Sequence, residues 1–256
     1  QDKLCHRTNK PGEQATEVAG SIVESALSAL PISKKMRWGA NTYEFARPTH
    51  WMLILYGNQT IKATIMGLVS SNITYGHRFH SDGPIPISTP DSYLNSLYKA
   101  NVMAEFEARK LKIKSTVISE ANSVRGTAVI DDGLLREVTA LVEWPVALLG
   151  TFDERFLALP KEALIASMQE HQKYFPVENK VGELLPFFIT ISNIQSSNPS
   201  QVISGNERVI RPRLADTVFF YDADKKSTLE NKREALRSVV FQEKLGSLYD
   251  KTERLS

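Results

Sequence analysis

Val146-Ala147-Leu148-Leu149, Tyr174-Phe175-Pro176-Val177 and Phe187-Phe188-Ile189-Thr190-Ile191 decide the fold class. Each is a short apolar run drawn largely from β-branched, aromatic and aliphatic residues, the composition of a strand. Residues 161–172, Lys161 to Gln172, read as a helix between the first two runs. Strands and helices therefore share one region. The expected class is α+β, with a mixed or antiparallel β-rich core and flanking helices.

Further upstream, Trp51 to Tyr56 and Ile61 to Leu68 are apolar runs separated by Gly57-Asn58-Gln59, a hairpin-like signal. Ile73 to Phe79 reads as a third strand. Val18, Ile22, Ala26 and Leu30 recur at helical spacing, which predicts an amphipathic helix over 14–30 that ends before Pro31. Thr89-Pro90-Asp91 opens another helix, with a hydroxyl at the cap, proline in the first turn and an acid near the positive dipole end. That helix carries Tyr93, Leu94, Leu97 and Tyr98. Its continuation, or a second helix, uses Val102, Phe106, Ile113 and Val117, with the basic run Arg109 to Lys114 on its other side. Ala128 to Ile130 reads as a short strand, and Leu134 to Val142 as a short helix that Trp144-Pro145 terminates.

After Asn193 the strand signals stop, and residues 199–220 and 228–255 are charged and helical in period. The expected organisation is an α+β module over 1–198 and a helical C-terminal flank over 199–256.

Composition narrows the class. At 256 residues the chain suits one large domain or two ordinary ones, and 42% hydrophobic with 23% charged residues is enough apolar material for a real core. No run of eighteen or so uncharged apolar residues exists to span a membrane. The chain starts at Gln1, residues 1–12 are polar, and no basic-then-apolar leader is visible, so it reads as a piece of a longer polypeptide. Cys5 is the only cysteine, which excludes an internal disulfide or a thiolate zinc site and fits the cytosol. The net charge of +2 is too small to announce nucleic-acid binding, so any basic surface must come from local clustering.

Two clusters stand out. Tyr75-Gly76-His77-Arg78-Phe79-His80 puts titratable and cationic side chains beside two aromatics, behind a glycine that permits a sharp turn. Imidazole and guanidinium bind phosphates, and imidazole also ligates metals. A metal reading would recruit His50 or His171 as a third ligand. His-x-x-His alone is a weak signal, and a loop pair contacting backbone or phosphate is the preferred reading. Phe79 is expected to anchor the turn in the core rather than to serve as a stacking platform.

The second cluster is Arg208, Arg211 and Arg213, three arginines within six residues. They either grip phosphates or form surface ion pairs with Glu207 and Asp216. The Lys110 to Lys114 run reads as a solvated helix face. Asp131-Asp132 and Asp222-x-Asp224 read as caps or solvated turns.

Catalytic signatures are missing. There is no Gly-x-Ser-x-Gly elbow, no Gly-x-x-x-x-Gly-Lys phosphate loop and no Gly-x-Gly-x-x-Gly fingerprint. Cys5, in a polar stretch, is poorly placed for a preorganised thiolate.

A set of longer words gives the chain its family likeness. They are Met36 to Gly39, Phe45 to Trp51, Gly76 to His80, Glu137 to Val146, Met168 to Pro176, Ser192 to Ile194, Gly205 to Val209 and Phe241 to Lys251. In this order the chain resembles the N-terminal portion of the β subunit of bacterial glycyl-tRNA synthetase of the α2β2 type. The resemblance implies a module similar to the B3/B4-type module of the phenylalanyl-tRNA synthetase β subunit. It also implies a cytoplasmic heterotetramer whose α subunit holds ATP (with Mg) and carries the chemistry, while the β subunit contacts tRNA(Gly). This segment would then be non-catalytic and without a cofactor of its own.

On that footing His77, Arg78 and His80, with Arg208, Arg211 and Arg213, are the expected tRNA contacts. The alternative is an assembly module holding the α subunit, with Trp144-Pro145 and Tyr174-Phe175-Pro176 as core or interface anchors. An editing site is the third possibility, disfavoured because a small synthetic pocket already excludes amino acids larger than glycine. Pro212 departs from the family pattern and predicts a kink or restart in the arginine-rich helix.

Overall fold

The computed structural model describes residues 6, 8, 9 and 11–255; Cys5 lies outside them. The chain forms two compact units, up to Glu105 and from Phe106 onward.

In the first unit, α1 (Ala15–Ala29) is followed by a series of very short antiparallel pairs. These are β1 (Met36–Arg37) with β2 (Glu44–Phe45), β3 (Leu55–Tyr56) with β4 (Gln59–Thr60), β5 (Thr64–Ile65) with β6 (Leu68–Val69), and β7 (Ile73–Tyr75) with β8 (Pro84–Pro86). A 3-10 turn over Pro90–Ser92 then leads into α2 (Tyr93–Lys99).

Two local signals act differently from expectation here. Ile61 to Leu68 is not one strand, because Met66 and Gly67 adopt φ of 49° and 75° and fold it into a tight hairpin. The expected α1 stripe is also rotated. Ile22 is 60% exposed, while Ala19, Gly20, Val23 and Leu27 are half-buried. Gly20 explains the rotation: a Cβ there would sit 2.7 Å from the Ala63 Cβ, so the helix approaches β5 on its smallest face. Ile61, Ile65, Ile87, Leu97 and Ala100 form the buried interior of this unit.

The second unit is built on one antiparallel sheet of four strands. Its order is β10-β12-β11-β9, formed by β9 (Thr127–Ala128), β10 (Val146–Thr151), β11 (Phe175–Glu178) and β12 (Leu184–Ser192). Helices cover both faces. On one, Phe175, Val177 and Ile189 pack with Ile113, Val117 and Ala121 of α3 (Phe106–Ser123) and Leu134, Leu135 and Val138 of α4 (Asp132–Leu141). On the other, Phe188 and Tyr174 pack with Leu164 of α5 (Lys161–Ala166), Met168 of the π-helical turn Ser167–His171, and Ile210 and Leu214 of α6 (Pro199–Lys225). The class is α+β with antiparallel sheets, and the sheet is the one expected from its three apolar runs.

The expected division at 198/199 does not coincide with the break between compact units. Ile210 and Leu214 are 1% and 0% exposed beneath the sheet, so α6 is part of the second unit's core. α6 also continues through Pro212 as one helix of 27 residues rather than restarting. Pro212 is exposed, so water can satisfy the carbonyl of Arg208 that its missing N–H leaves unpaired. Residues 228–255 are not wholly helical. Between α7 (Leu229–Ala235) and α8 (Leu248–Leu255), β13 (Val240–Gln242) pairs with β14 (Gly246–Ser247) around Gly246 at φ 80°. The charged residues on either side hide this hairpin in the sequence.

Phe188 pairs across the sheet with Gly150, and its ring lies where a side chain at 150 would be. A Cβ on Gly150 would come within 2.4 Å of that ring. Gly150→Ala is therefore expected to destabilise the protein by about 1–3 kcal/mol through overpacking. Gly205→Ala has the opposite expected sign, since Gly205 is exposed inside α6 with nothing within 4 Å of the new methyl. Helix propensity makes that change stabilising by up to about 1 kcal/mol. Urea unfolding of both variants beside the parent checks the pair of signs.

Candidate nucleic-acid interface

The His-Arg turn begins where β7 ends. A Cβ on Gly76 would lie 2.5 Å from the Ala100 Cβ and 2.6 Å from Ser81, so glycine is required for close approach. The residue has no positive φ. The His77 N–H donates to the Ala100 carbonyl (2.9 Å), and the His77 carbonyl accepts from the N–H groups of His80 (3.1 Å) and Ser81 (2.9 Å). The imidazole itself is fully buried, and its Nδ1 accepts the Phe79 N–H at 3.2 Å. The His80 ring stacks on it at 4.6 Å. Two adjacent residues are then turned outward. Arg78 is exposed and, among the described residues, has no carboxylate within ion-pair distance; Phe79 is 71% exposed.

The three expected contacts of this cluster therefore separate. Arg78 is available to solvent, His80 is half-buried, and His77 is a structural post inside the turn. Phe79 is not the core anchor expected of it. The sequence shows ring and charge at these positions but not which alternate residue turns inward; the Nδ1 bond to the backbone decides that.

A second sequence word joins this turn. Trp51 packs its ring on Tyr75 with centroids 4.9 Å apart, and the two rings remain 43% and 42% exposed. Arg47 and His50 beside Trp51 are exposed as well. Among the described residues, no group of three or more His, Cys, Asp or Glu side chains is arranged to hold a metal ion.

The arginine cluster belongs to the second unit, on α6. Arg208, Arg211 and Arg213 are all exposed, and among the described residues none forms an ion pair. The ion pairs with Glu207 and Asp216 weighed from the sequence are thus not made. Arg208 and Arg211 share a helix face, whereas Arg213 projects from nearly the opposite side.

Glu207 has a different task. Its Oε1 accepts from the Thr151 N–H (2.9 Å) and Oγ (2.7 Å), tying α6 to the end of β10. With Thr151, Phe152, Asp153, Phe156 and Arg211 it lines a cleft of about 230 Å³. No local signal in the sequence marks Thr151 or Asp153.

The remaining basic run is partly absorbed by packing. The Arg109 Nε donates to the Thr139 carbonyl (3.0 Å), and burial lowers its pKa. Lys110 pairs with Asp132 at 2.6 Å, and that hydrogen bond is the main cause holding the Asp132 carboxyl below its usual range. Asp131 caps α4 by accepting the Leu134 N–H (2.8 Å).

Among the described residues no helix is long and apolar enough to cross a membrane. What the surface offers is unpaired guanidinium and exposed aromatic rings, the chemistry of a polyanion-contacting module. All 256 residues match the family described as glycyl-tRNA synthetase beta subunit. Among similar proteins, each named glycine–tRNA ligase beta subunit, one from Chromohalobacter salexigens is 52% identical over 98% of this chain. Relatives from Hahella chejuensis and Marinobacter nauticus are 50% and 51% identical over 98% and 99% of it. The chain belongs to the glycyl-tRNA synthetase beta subunit family, and it spans 37% of the length of these curated relatives.

One buried contact sets how α6, and with it the arginines, is seated. Tyr174 Oη donates to Asn206 Oδ1 at 2.7 Å, and burial pushes its phenol from 10.0 up to about 12. The neutral phenol is the form the fold prefers. Its contribution is fully present below pH 10 and is lost as the pH rises through 12. In Tyr174→Phe that alkaline loss is expected to flatten, with stability at pH 8 lower by about 1 kcal/mol for the missing hydrogen bond. Denaturant unfolding between pH 8 and pH 12 measures both.

Proposed function

We propose that this chain is a tRNA-contacting segment of a glycine–tRNA ligase β subunit. The observation that carries this reading is Arg78, an exposed guanidinium without a carboxylate partner among the described residues, set on a turn that His77 fixes from inside. The unpaired Arg208, Arg211 and Arg213 on α6 support it. Such groups meet phosphates at little desolvation cost and with the bidentate geometry that guanidinium provides. The relatives' names say tRNA ligase and β subunit, which implies a partner α subunit and tRNA(Gly) as the nucleic acid.

In this reading the segment is non-catalytic. ATP, magnesium and the attachment of glycine belong to the α subunit of a cytoplasmic α2β2 assembly. Likeness to the B3/B4-type module of the phenylalanyl enzyme belongs to the same proposal, supported by the α+β organisation.

A second reading, an assembly module for the α subunit, has its own observation. Phe219 and Phe220 on α6 are 68% and 64% exposed, more apolar surface than a helix turned only to water requires. Of the two roles weighed for Tyr174, Phe175 and Pro176, they take the core one, because they are buried within the second unit.

Arg78→Ala in the intact heterotetramer separates the two. The tRNA reading expects weaker binding of tRNA(Gly) and a salt dependence shallower by about one phosphate contact. Unchanged affinity and slope, with Phe219→Ser/Phe220→Ser losing copurification of the α subunit, would transfer the function to assembly.

A further inference from the structure

We infer that Phe79 is a stacking platform for an unpaired base of the bound RNA, with Arg78 beside it on the backbone phosphate; this rests on the tRNA-contacting reading and adds what the turn recognises. The turn is built to hold the ring outside. Gly76 lets it approach Ala100, His77 fills the interior, and the bond from the Phe79 N–H to His77 Nδ1 fixes the backbone from which the ring projects. At 71% exposure Phe79 contributes little burial to the fold, so its preorganised display is not explained by core packing. An aromatic face beside an unpaired guanidinium is what a base and its adjoining phosphate require. A base inside a duplex has both faces stacked on its neighbours, so the ligand is an exposed, unstacked nucleotide rather than a duplex stem. The half-exposed Trp51–Tyr75 pair immediately before the turn adds further ring surface along the same strand end.

The exposure that motivates the proposal also makes its test clean, because Phe79→Leu keeps an apolar side chain and removes only the ring. With the α subunit and the full-length β chain present, Phe79→Leu is expected to weaken tRNA(Gly) binding roughly tenfold or more. Its salt slope and melting temperature should match the parent. Phe79→Trp is expected to retain binding, with indole fluorescence quenched by tRNA(Gly) but not by a fully paired RNA duplex.

Parent-like affinity in Phe79→Leu overturns the stacking role. If Arg78→Ala is still weakened in that case, the tRNA-contacting reading stands without it; if Arg78→Ala is also unchanged, the turn is not the interface and both fail. Equal quenching by the duplex overturns the choice of an unpaired base. Loss of the α subunit from Phe79→Leu assigns the ring to a protein partner and overturns the proposal.

Discussion

The second unit depends on Phe188 lying across Gly150. The two residues face each other on adjacent strands, and no other residue type at 150 leaves room for the ring. Once seated there, Phe188 offers its face to Tyr174, stacked at 4.5 Å, and Tyr174 in turn reaches Asn206 on α6. Ile210 and Leu214 then close the same layer. A sheet glycine would ordinarily weaken a strand, but covering it with a neighbouring aromatic returns the lost packing. The chain of contacts also fixes which face of α6 is buried, and hence that Arg208, Arg211 and Arg213 remain outside.

Much of this layer was readable in the sequence because its signals are local and strong. Val146 to Leu149, Tyr174 to Val177 and Phe187 to Ile191 became β10, β11 and β12 with small shifts at their ends. The Thr89-Pro90 step marked a helix start through its chemistry, although it begins as a 3-10 turn, and of the two readings of Asp131, cap or solvated turn, the cap is the one formed. What could not be read depends on distant partners. The outward turn of Ile22 follows from Gly20 meeting Ala63, a contact between residues far apart in the sequence. Continuity of α6 through Pro212 goes with the exposed position of that residue, where water can reach the carbonyl it orphans. The place of α6 in the core follows from only two buried residues within a charged helix, too sparse a pattern to outweigh its polar face.

For the candidate site, the sequence shows which residue types cluster and not which of them turn inward. His77, Arg78 and His80 read as three cationic or titratable groups of equal standing, because a sequence counts side chains without saying which point inward. The structure sorts them by one hydrogen bond. An imidazole Nδ1 that accepts a backbone N–H two residues on behaves as a turn-forming acceptor, much as an Asn or Asp side chain does. That role requires Nδ1 to be unprotonated, so the same residue cannot also meet a phosphate through that nitrogen. Burial of His77 thus subtracts one contact from the expected site and supplies the rigidity that presents the other two residues.

The two units differ in what their exposed aromatic surface can mean. The second has two apolar layers around its sheet and large rings inside them, so its stability is accounted for internally. The first is made of strands two or three residues long, whose ladders stabilise little by themselves, around a small set of buried aliphatic residues. A unit with so little core gains from burying every large ring available to it. Yet Trp51, Tyr75 and Phe79 stay substantially exposed, two of them packed on each other rather than inward, while an imidazole takes the buried position in the turn. Folding alone favours the reverse arrangement, a ring inside and a histidine outside. In the tRNA-contacting reading proposed above, that inversion is what leaves the rings of this unit outside to meet the RNA.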